Sequence, residues 1–556
     1  MLFRAAAAER FTLPATVEQL IAAASLFWAL ACNRLFLGAA LKERVFSEPA
    51  TWGFAAALLV MLAALHFLLL SLVSTRHTVK PLLVVLIVGT AFATYFMQTF
   101  GVYLDPTMLR NVLRTDVAEA RELFSWSLLP HLLLYAVLPL LLLWRVRLVK
   151  RPLLRAAGVR LASVIGAAAL LVGALMLIFQ PFASMMRNQK DMRYLATPAN
   201  FLWSIGAVVA QQAKGAARPR QAIGPDARPG PAMAARTRPL LVVLVVGETV
   251  RAANWGLNGY ARQTTPELAA LAGTSTLLNF PDVTACGTNT EVSLPCMFAP
   301  VGRRDYDEGA IRGSESLLHV LARAGVAVHW RDNQSGCKGV CEGLPQEEVL
   351  TLNPPSLCAE GRCLDEALLA GLDTQLAAAQ GTQFLVLHML GNHGPSYFRR
   401  YPPAYARFQP ACNHDDLQKC SQQEIVNAYD NALLYTDHVL GRLVAQLQAA
   451  APGLDSAMLY VSDHGESLGE NNLYLHGLPY AIAPDLQKRV PMVLWLSVGA
   501  PQALGLDLPC LQRRATRPAA HDHLFHTVLG LLAVKTALYD PAWDLAQGCR
   551  AGGASK

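Results

Sequence analysis

Charged side chains are scarce in this sequence of 556 residues. Asp, Glu, Lys and Arg together account for 16% of the chain, whereas the hydrophobic types account for 53%. Soluble proteins carry roughly a quarter charged residues, so this shortage argues against a wholly soluble chain and indicates membrane-spanning segments. The length exceeds that of a typical single domain and predicts at least two units.

The apolar residues are concentrated in the first third of the chain, in five long runs. Each run approaches the roughly 20 residues that a helix needs to cross a bilayer. The first run does not fit a signal peptide, because a second apolar run follows it at once instead of a soluble sequence. We therefore predict five spans, at residues 20–41, 50–73, 81–100, 128–144 and 159–179.

Lysine and arginine collect in three of the segments that flank these runs. Arg4 and Arg10 precede the first span, Arg76 and Lys80 follow the second, and a basic cluster lies within residues 145–155. The positive-inside rule places these segments in the cytoplasm. An odd number of spans then places the loop 101–125, and everything after the fifth span, on the outer side.

Two connectors separate the last span from a soluble domain. Residues 184–211 mix aromatic, apolar and basic types, which is typical of a helix at the membrane surface. Residues 214–239 are rich in Ala, Gly, Pro and Arg and predict an extended linker. We predict a transmembrane domain over 1–182, an interfacial helix and linker over 183–239, and an outer catalytic domain over 240–556.

Cysteine is almost absent before the soluble domain, where Cys32 stands alone. The other ten follow residue 285, an even number in a compartment predicted to be oxidising, which favours disulfides. A zinc ribbon is disfavoured, because the repeated C-x₂-C spacing is missing. Sequence does not fix the connectivity, but neighbouring positions suggest Cys286 with Cys296, Cys337 with Cys341, Cys358 with Cys363, Cys412 with Cys420 and, by elimination, Cys510 with Cys549.

The soluble domain begins with "LLVVLVVGE", a continuous apolar run that ends in glycine and an acid. Such a run is typical of a strand buried on both faces of a parallel sheet. Similar runs recur at 326–330, 384–388, 457–463 and 492–497, with helical patterns at 316–324 and 424–449 between them. Strands that alternate with helices predict a doubly wound α/β domain, in which ligands bind beyond the carboxyl ends of the strands.

Acids and histidines stand where several of these predicted strands end. A solitary Glu there is usually a helix cap or solvated, and a solitary His is usually structural. Their combination in "VVGET", "GNHGP", "SDHGES" and "YLHG" instead predicts a site for a divalent cation such as Zn²⁺. The residues are Glu248, His388, His393, Asp463, His464 and His476.

The loop "ACGTNTEVSLPC", residues 285–296, holds two threonines between two cysteines. With "VVGET", "GNHGP" and "SDHGES" behind five spans, it resembles the phosphoethanolamine transferases that modify lipid A, the colistin-resistance type within the alkaline phosphatase superfamily. The resemblance implies an N-terminal five-helix transmembrane domain and an α/β domain of alkaline-phosphatase/sulfatase type with a central, mostly parallel sheet. It also implies that Thr290, and not Thr288, is the nucleophile.

The same resemblance implies the ligand sets. Its zinc ligands fall on Glu248, Thr290, Asp463 and His464, and a second metal or acceptor-phosphate site falls on His393 and His476, with His388 nearby. We expect one tightly bound zinc ion, with room for another. A threonine hydroxyl is a poor nucleophile, and coordination to Zn²⁺ favours its deprotonation at neutral pH.

The implied function is transfer of phosphoethanolamine from phosphatidylethanolamine to lipid A through a covalent intermediate on Thr290. The enzyme would lie in a Gram-negative inner membrane with its catalytic domain in the periplasm, act as a monomer and confer polymyxin resistance. Alternatives are transfer to the lipopolysaccharide core or another periplasmic glycan, or phosphoglycerol transfer on the same fold. A sulfatase is disfavoured, because Thr290 lacks a C/S-x-P-x-R context, and the basic residues do not follow a nucleic-acid-binding motif.

Donor-binding residues are also implied by the resemblance. In "NVLRTDVAE", Asn111, Thr115 and Glu119 are spaced to share one helix face, and "QSGCKG" supplies Ser335 and Lys338. A carboxylate suits the ammonium of ethanolamine and a lysine its phosphate. The alternative is a solvated amphipathic face.

Glu291, directly after the predicted nucleophile, departs from the family pattern of a small residue at this position. It could tune the choice of acceptor or bind a second ion, and the sequence does not decide between these roles.

Overall fold

The chain divides into two compact units, one formed by Met1–Leu109 with Ser125–Ala210 and the other by Arg110–Phe124 with Gln211–Lys556. This computed structural model describes residues 12–42, 44–115, 117–216, 220–274, 276–354, 356–359 and 361–550. The segment Arg110–Phe124, which belongs to the predicted outer loop, therefore packs with the second unit.

Four helices of the first unit are long and apolar enough to cross a membrane: Pro49–Val73, Val79–Phe100, Leu128–Arg145 and Leu153–Leu177. The first predicted span is instead a pair, Val17–Cys32 and Arg34–Leu41, bent by 55°. Among the described residues there are thus four spans, or five if the bent pair crosses once. Leu153 and Leu154 remain exposed on the last helix, as expected of a surface that faces lipid.

The bend has a local cause at Asn33. Its side chain donates hydrogen bonds to the carbonyls of Trp28, at 2.9 Å, and Thr197, at 2.7 Å, and accepts one from the Thr197 amide. A side chain that competes for helix carbonyls in this way interrupts the ladder of backbone hydrogen bonds. The apolar run alone therefore predicts a straight span where the structure has a break.

The connectors are more structured than the sequence predicts. Residues 184–211 fall in two helices, Phe179–Asn188 and Ala199–Ala216, with a 3₁₀ helix at Lys190–Leu195 between them. In the predicted linker, the short strand Arg228–Pro229 pairs with Val534–Lys535, and Arg220 forms an ion pair with Glu342 at 2.7 Å. This part of the chain is folded within the second unit.

The second unit is built on an eight-stranded sheet. In chain order its strands are β1 Leu240–Gly247, β2 Thr276–Thr284, β3 Ala327–Asp332, β4 Gln346–Glu348, β5 Thr382–His388, β6 Asp455–Ser462, β7 Arg489–Leu496 and β8 Ala519–Ala520. Their order across the sheet is β8-β2-β7-β6-β1-β5-β3-β4. Only β7 runs antiparallel to its two neighbours, so the sheet is mostly parallel, as predicted. Every residue of β1 and β6 is buried.

Helices cover both faces of this sheet. They are Pro266–Thr274, Thr290–Met297, Glu308–Gly313, Leu317–Arg323, Leu372–Ala377, Gln422–Ala450, Leu508–Ala515 and Asp522–Leu532, with shorter ones at Pro231–Ala234, Val349–Leu352 and Ala500–Ala503. Ser421 begins the longest with a capping box to Glu424, which satisfies amides that the helix leaves unpaired. Burying a Leu or Val side chain of the core contributes about 1.5–3 kcal/mol.

Five disulfides join cysteines of the second unit. They link Cys286 with Cys296, Cys337 with Cys341, Cys358 with Cys363 and Cys412 with Cys420, the pairs that neighbouring positions suggested, and Cys510 with Cys549, the pair predicted by elimination. Cys32 is free and buried.

Candidate functional site

Glu248 follows β1 directly and lies at the centre of the site. Its buried carboxylate accepts a hydrogen bond from the Thr249 hydroxyl at 2.6 Å and one from the Thr290 hydroxyl at 3.0 Å. Gly391, with φ +53°, passes so close that an added Cβ would lie 2.6 Å from the Glu248 carbonyl oxygen. The backbone of Glu248 is thus enclosed by a position that requires glycine.

Asp463 and His464 come from the neighbouring strand, β6, whose Ser462 lies beside Gly247 of β1. Asp463 Oδ1 accepts hydrogen bonds from the amides of Thr249, at 3.1 Å, and His464, at 2.7 Å. His464 Nδ1 lies 2.9 Å from the Gly465 carbonyl, so Nδ1 carries the proton there. Its other nitrogen, Nε2, faces Glu248 Oε1 at 3.3 Å and Asp463 Oδ2 at 3.4 Å.

Thr290 is the first residue of the helix Thr290–Met297. The Asn289 side chain caps this helix by accepting from the Val292 amide at 3.0 Å. Ser293, one turn on, donates to the Asp463 carbonyl at 2.5 Å and ties the helix to the end of β6. Thr290 Oγ1 consequently lies 3.5 Å from His464 Nε2, at a helix N-terminus that favours anions.

The electrostatics of this cluster fit a cation. Glu248, Asp463 and His464 are all buried and each offers one ligand atom. These three atoms lie within 4.8 Å of one another. Burial and the nearby Glu248 charge raise the pKa of Asp463 to about 7, and its buried Oδ2 accepts no hydrogen bond from the described part of the chain. Burial alone would raise the pKa of Glu248, but His464, with His393 and His476, lowers it. Two crowded carboxylates and an unsatisfied oxygen are what a divalent cation would stabilise.

A second group shares Glu248. Ligand atoms of Glu248, His393 and His476 also lie within 4.8 Å of one another. Burial, followed by the charge of His464, lowers the pKa of His476 to about 3, which leaves a neutral imidazole with a nitrogen lone pair. His388 belongs to neither group of ligand atoms among the described residues, and its Nδ1 lies 2.9 Å from Asp332 Oδ2.

Several contributing residues were missed by the sequence analysis. Glu466 Oε2 lies 3.4 Å from His476 Nδ1, and Gln334 Nε2 donates to Glu248 Oε2 at 3.4 Å. Asp365 accepts from the amides of Leu390 and Gly391 and so holds the loop that carries His393. Glu466 lies within "SDHGES" and Gln334 begins "QSGCKG", so both could have been found there, whereas Asp365 carries no local signal.

The predicted donor residues are only partly brought together. A cavity of about 500 Å³ is lined by residues that include Arg114, Gln334, Ser335 and His393. Lys338 donates to Ser335 Oγ at 2.5 Å and is not part of that lining. The structure places Ser335 at this cavity.

The helix expected over 111–119 is two helices instead, Pro106–Arg114 and Val117–Glu122. The Thr115 hydroxyl turns back to donate to the Asn111 carbonyl at 2.9 Å, where the first helix ends. Asn111 and Thr115 are not in the cavity lining. The side chain of Glu119 lies outside the described part of the chain.

Glu291 is fully buried and pairs with two arginines. Its Oε1 lies 2.7 Å from Arg114 Nη1 and 2.8 Å from Arg312 Nη2. Among the described residues it joins neither ligand group, so its position gives no support to a role in binding a second ion.

Two family models match the chain. The model described as "Phosphoethanolamine transferase EptA/EptB" matches residues 62–213, and the model described as "Sulfatase" matches residues 241–534, more than half of the chain. The first match covers much of the membrane helices and the second covers the sheet with its site.

Relatives match over most of their length. Phosphoethanolamine transferase EptA of Salmonella typhimurium is 40% identical, over 84% of this chain and 85% of the relative. Phosphatidylethanolamine transferase Mcr-1 of Escherichia coli is 38% identical, over 76% of this chain and 79% of the relative. The integral membrane lipooligosaccharide phosphoethanolamine transferase A of Neisseria meningitidis superposes with a TM-score of 0.92 at 37% identity, covering 97% of this chain and 99% of that one.

Proposed function

The chain belongs to the EptA family of phosphoethanolamine transferases, and we propose that it transfers phosphoethanolamine from phosphatidylethanolamine to lipid A with Thr290 as the nucleophile. The observation that carries this proposal is the Thr290 hydroxyl, 3.0 Å from Glu248 in a buried cluster of acids and histidines at the strand ends. The names of the relatives match this reaction.

We propose zinc as the metal, held by Glu248, Asp463, His464 and the Thr290 hydroxyl. When bound, zinc would favour deprotonation of that hydroxyl and neutralise charge on the phosphoryl oxygens. The residues of the chain hold the geometry, because Ser293 and the Asn289 cap fix the helix on which Thr290 stands. His393 and His476 are the proposed site for a second ion or for the acceptor phosphate.

The reaction has two displacement steps at phosphorus. In the first, Thr290 Oγ bonds to the phosphorus, the bond to the diacylglycerol oxygen breaks, and diacylglycerol leaves with a proton while Thr290 has lost one. In the second, a phosphate oxygen of lipid A bonds to the same phosphorus and the bond to Thr290 Oγ breaks. The proton of the attacking phosphate hydroxyl passes to Thr290 Oγ, and the product is lipid A that carries phosphoethanolamine.

The cellular consequence follows from charge. Each phosphoethanolamine adds an ammonium group to lipid A and reduces its net negative charge, which weakens the attraction of cationic peptides such as polymyxin. The enzyme would work from the inner membrane, with its disulfide-bonded catalytic unit in the periplasm. One chain supplies all the residues of the site, which suits action as a monomer.

Mass spectrometry of lipid A tests this function in a Gram-negative host that lacks its own transferase. Cells that express the chain should gain lipid A with the mass of one added phosphoethanolamine, and Thr290→Ala should abolish the gain. Thr288→Ala is the matched control, since Thr288 lies in the same loop and its hydroxyl donates to the Leu478 carbonyl at 2.6 Å. Transfer that persists in Thr290→Ala would overturn the assignment of the nucleophile.

A further inference from the structure

The cavity of about 500 Å³ reaches the site just described. Gln334 and His393 belong to its lining, and Gln334 also donates to Glu248. A group bound in this cavity would therefore lie beside the residues that surround Thr290. Two arginines, Arg114 and Arg362, contribute to its walls.

These two arginines differ in how they are held. Arg362 forms an ion pair with Glu122 at 3.1 Å, and Glu122 also pairs with Arg400. Arg114 is held at Nη1 by Glu291, and its side chain keeps 44% of its surface exposed. A guanidinium has five N–H donors, so Arg114 can bind a further anion while it stays bound to Glu291.

Arg114 belongs to a chain of ion pairs. Glu291 lies between Arg114 and Arg312, and Glu308 pairs with both Arg110 and Arg312. Three guanidinium groups thus share these two carboxylates. Of the three arginines, only Arg114 lines the cavity.

An incidental surface ion pair does not explain this arrangement. Exposed pairs contribute about 0–1 kcal/mol and need no buried partner. Glu291 is fully buried and is the residue directly after the proposed nucleophile, so its carboxylate has lost its hydration. Such a group is tolerated only because the two arginines compensate its charge. The buried carboxylate of Glu291 thus holds Arg114 where it lines the cavity.

We propose that Arg114 binds the phosphate group of a lipid substrate in this cavity, and that Glu291 is the residue that positions it. A planar guanidinium pairs with phosphate oxygens through two parallel hydrogen bonds. The proposal rests on the proposed function, which brings two lipid phosphates to the site, the phosphodiester of the donor and the phosphate of lipid A. Either one satisfies the chemistry of Arg114.

The experiment follows the two half-reactions with the purified, zinc-loaded full-length protein. The first is release of diacylglycerol from phosphatidylethanolamine without acceptor, and the second is transfer from loaded enzyme to lipid A. Loss of a charged hydrogen bond should raise KM in Arg114→Gln by about tenfold to a hundredfold, with a smaller change in kcat. The half-reaction that shows the rise identifies the lipid, and Arg114→Lys should recover part of it.

Three further variants separate phosphate binding by Arg114 from a purely structural role of its contact with Glu291. Glu291→Gln should raise the same KM less, because Arg114 stays in place but loses its charged anchor. Arg312→Gln removes the other arginine from the same carboxylate and should lower the melting temperature without raising KM. Arg442→Gln, an exposed arginine outside the cavity lining, controls for loss of a positive charge.

Two outcomes would overturn the role of Arg114. One is an unchanged KM in both half-reactions of Arg114→Gln. The other is an equal rise in KM in Arg312→Gln, which would mean that the structural contact with Glu291 alone is responsible. Failure of the proposed function is distinguishable, because it would appear as a wild-type protein that releases no diacylglycerol in a Thr290-dependent way.

Discussion

Glu248 is the residue on which the site depends most. It contributes to both ligand groups and accepts the hydrogen bond from Thr290. Its backbone is fixed as firmly as its side chain, because the Glu248 carbonyl accepts a hydrogen bond from the Asn392 amide at 3.0 Å. A shift of its main chain would therefore move the carboxylate relative to Thr290 and His464.

Gly391→Ala should produce such a shift. The added Cβ would meet the Glu248 carbonyl oxygen at 2.6 Å and would stand at φ +53°, so zinc content and transfer should both fall. Gly381→Ala is the control: its φ is +62°, but nothing lies within 4 Å of an added Cβ. Both substitutions cost about 1–2 kcal/mol in backbone strain. Only Gly391→Ala should lose the proposed zinc, which metal analysis of the purified protein measures. Equal zinc content would show that the close approach does not position Glu248.

At the scale of elements, the helix Gln422–Ala450 supports a second helix through one side chain. Asp437 accepts hydrogen bonds from the amides of Glu267, at 2.7 Å, and Leu268, at 3.0 Å, and so caps Pro266–Thr274 from outside. Burial outweighs these two bonds and raises the pKa of Asp437 from 3.8 to about 7. The folded protein therefore keeps a proton that the unfolded chain releases in weak acid.

This linkage predicts a pH effect with a definite sign. The stability that the proton on Asp437 contributes is complete below about pH 4 and is lost as the pH rises to about 7. Asp437→Asn stays neutral throughout, so its melting temperature should rise relative to wild type across that interval. Calorimetry or circular dichroism of both proteins at each pH measures the difference. A difference that does not change with pH would mean that Asp437 titrates normally.

The elements that the sequence predicts well are those set by local pattern. β1 and β6 are continuous apolar runs, and both are strands buried along their whole length. β2 was missed, because Pro281 and Asp282 interrupt its pattern and are typical of a loop. The longest helix, predicted at 424–449, is Gln422–Ala450, so its ends were predicted within two residues.

The residues of the site also divide into those that local pattern predicts and those that it does not. The acids and histidines that end β1 and β6 meet because parallel neighbours deliver their carboxyl ends to one edge, which pattern and topology foresee. The contact between Arg114 and Glu291 spans 177 positions and lies in no motif. Such a pair depends on how a distant segment packs, so the sequence did not foresee that Glu291 contacts Arg114.

At the scale of the whole molecule, the number of spans decides on which side each end lies. Four described helices are long enough to cross, and four alone would leave the two ends of the membrane unit on the same side. Basic residues predict a cytoplasmic N-terminus, and five disulfides favour an oxidising compartment for the catalytic unit. A cytoplasmic N-terminus and a catalytic unit on the oxidising side are compatible only if the bent pair Val17–Cys32 and Arg34–Leu41 crosses the membrane once.

A reporter that is active only in the periplasm tests whether the number of spans is odd or even. Fused before residue 12 it should be inactive, and fused at residue 239, in place of the catalytic unit, it should be active. A fusion at residue 78, between the first two of the four helices and close to Arg76 and Lys80, should also be inactive and serves as the internal control. Activity at both residue 239 and the N-terminus would show that the bent pair enters and leaves on one side, with four spans in all.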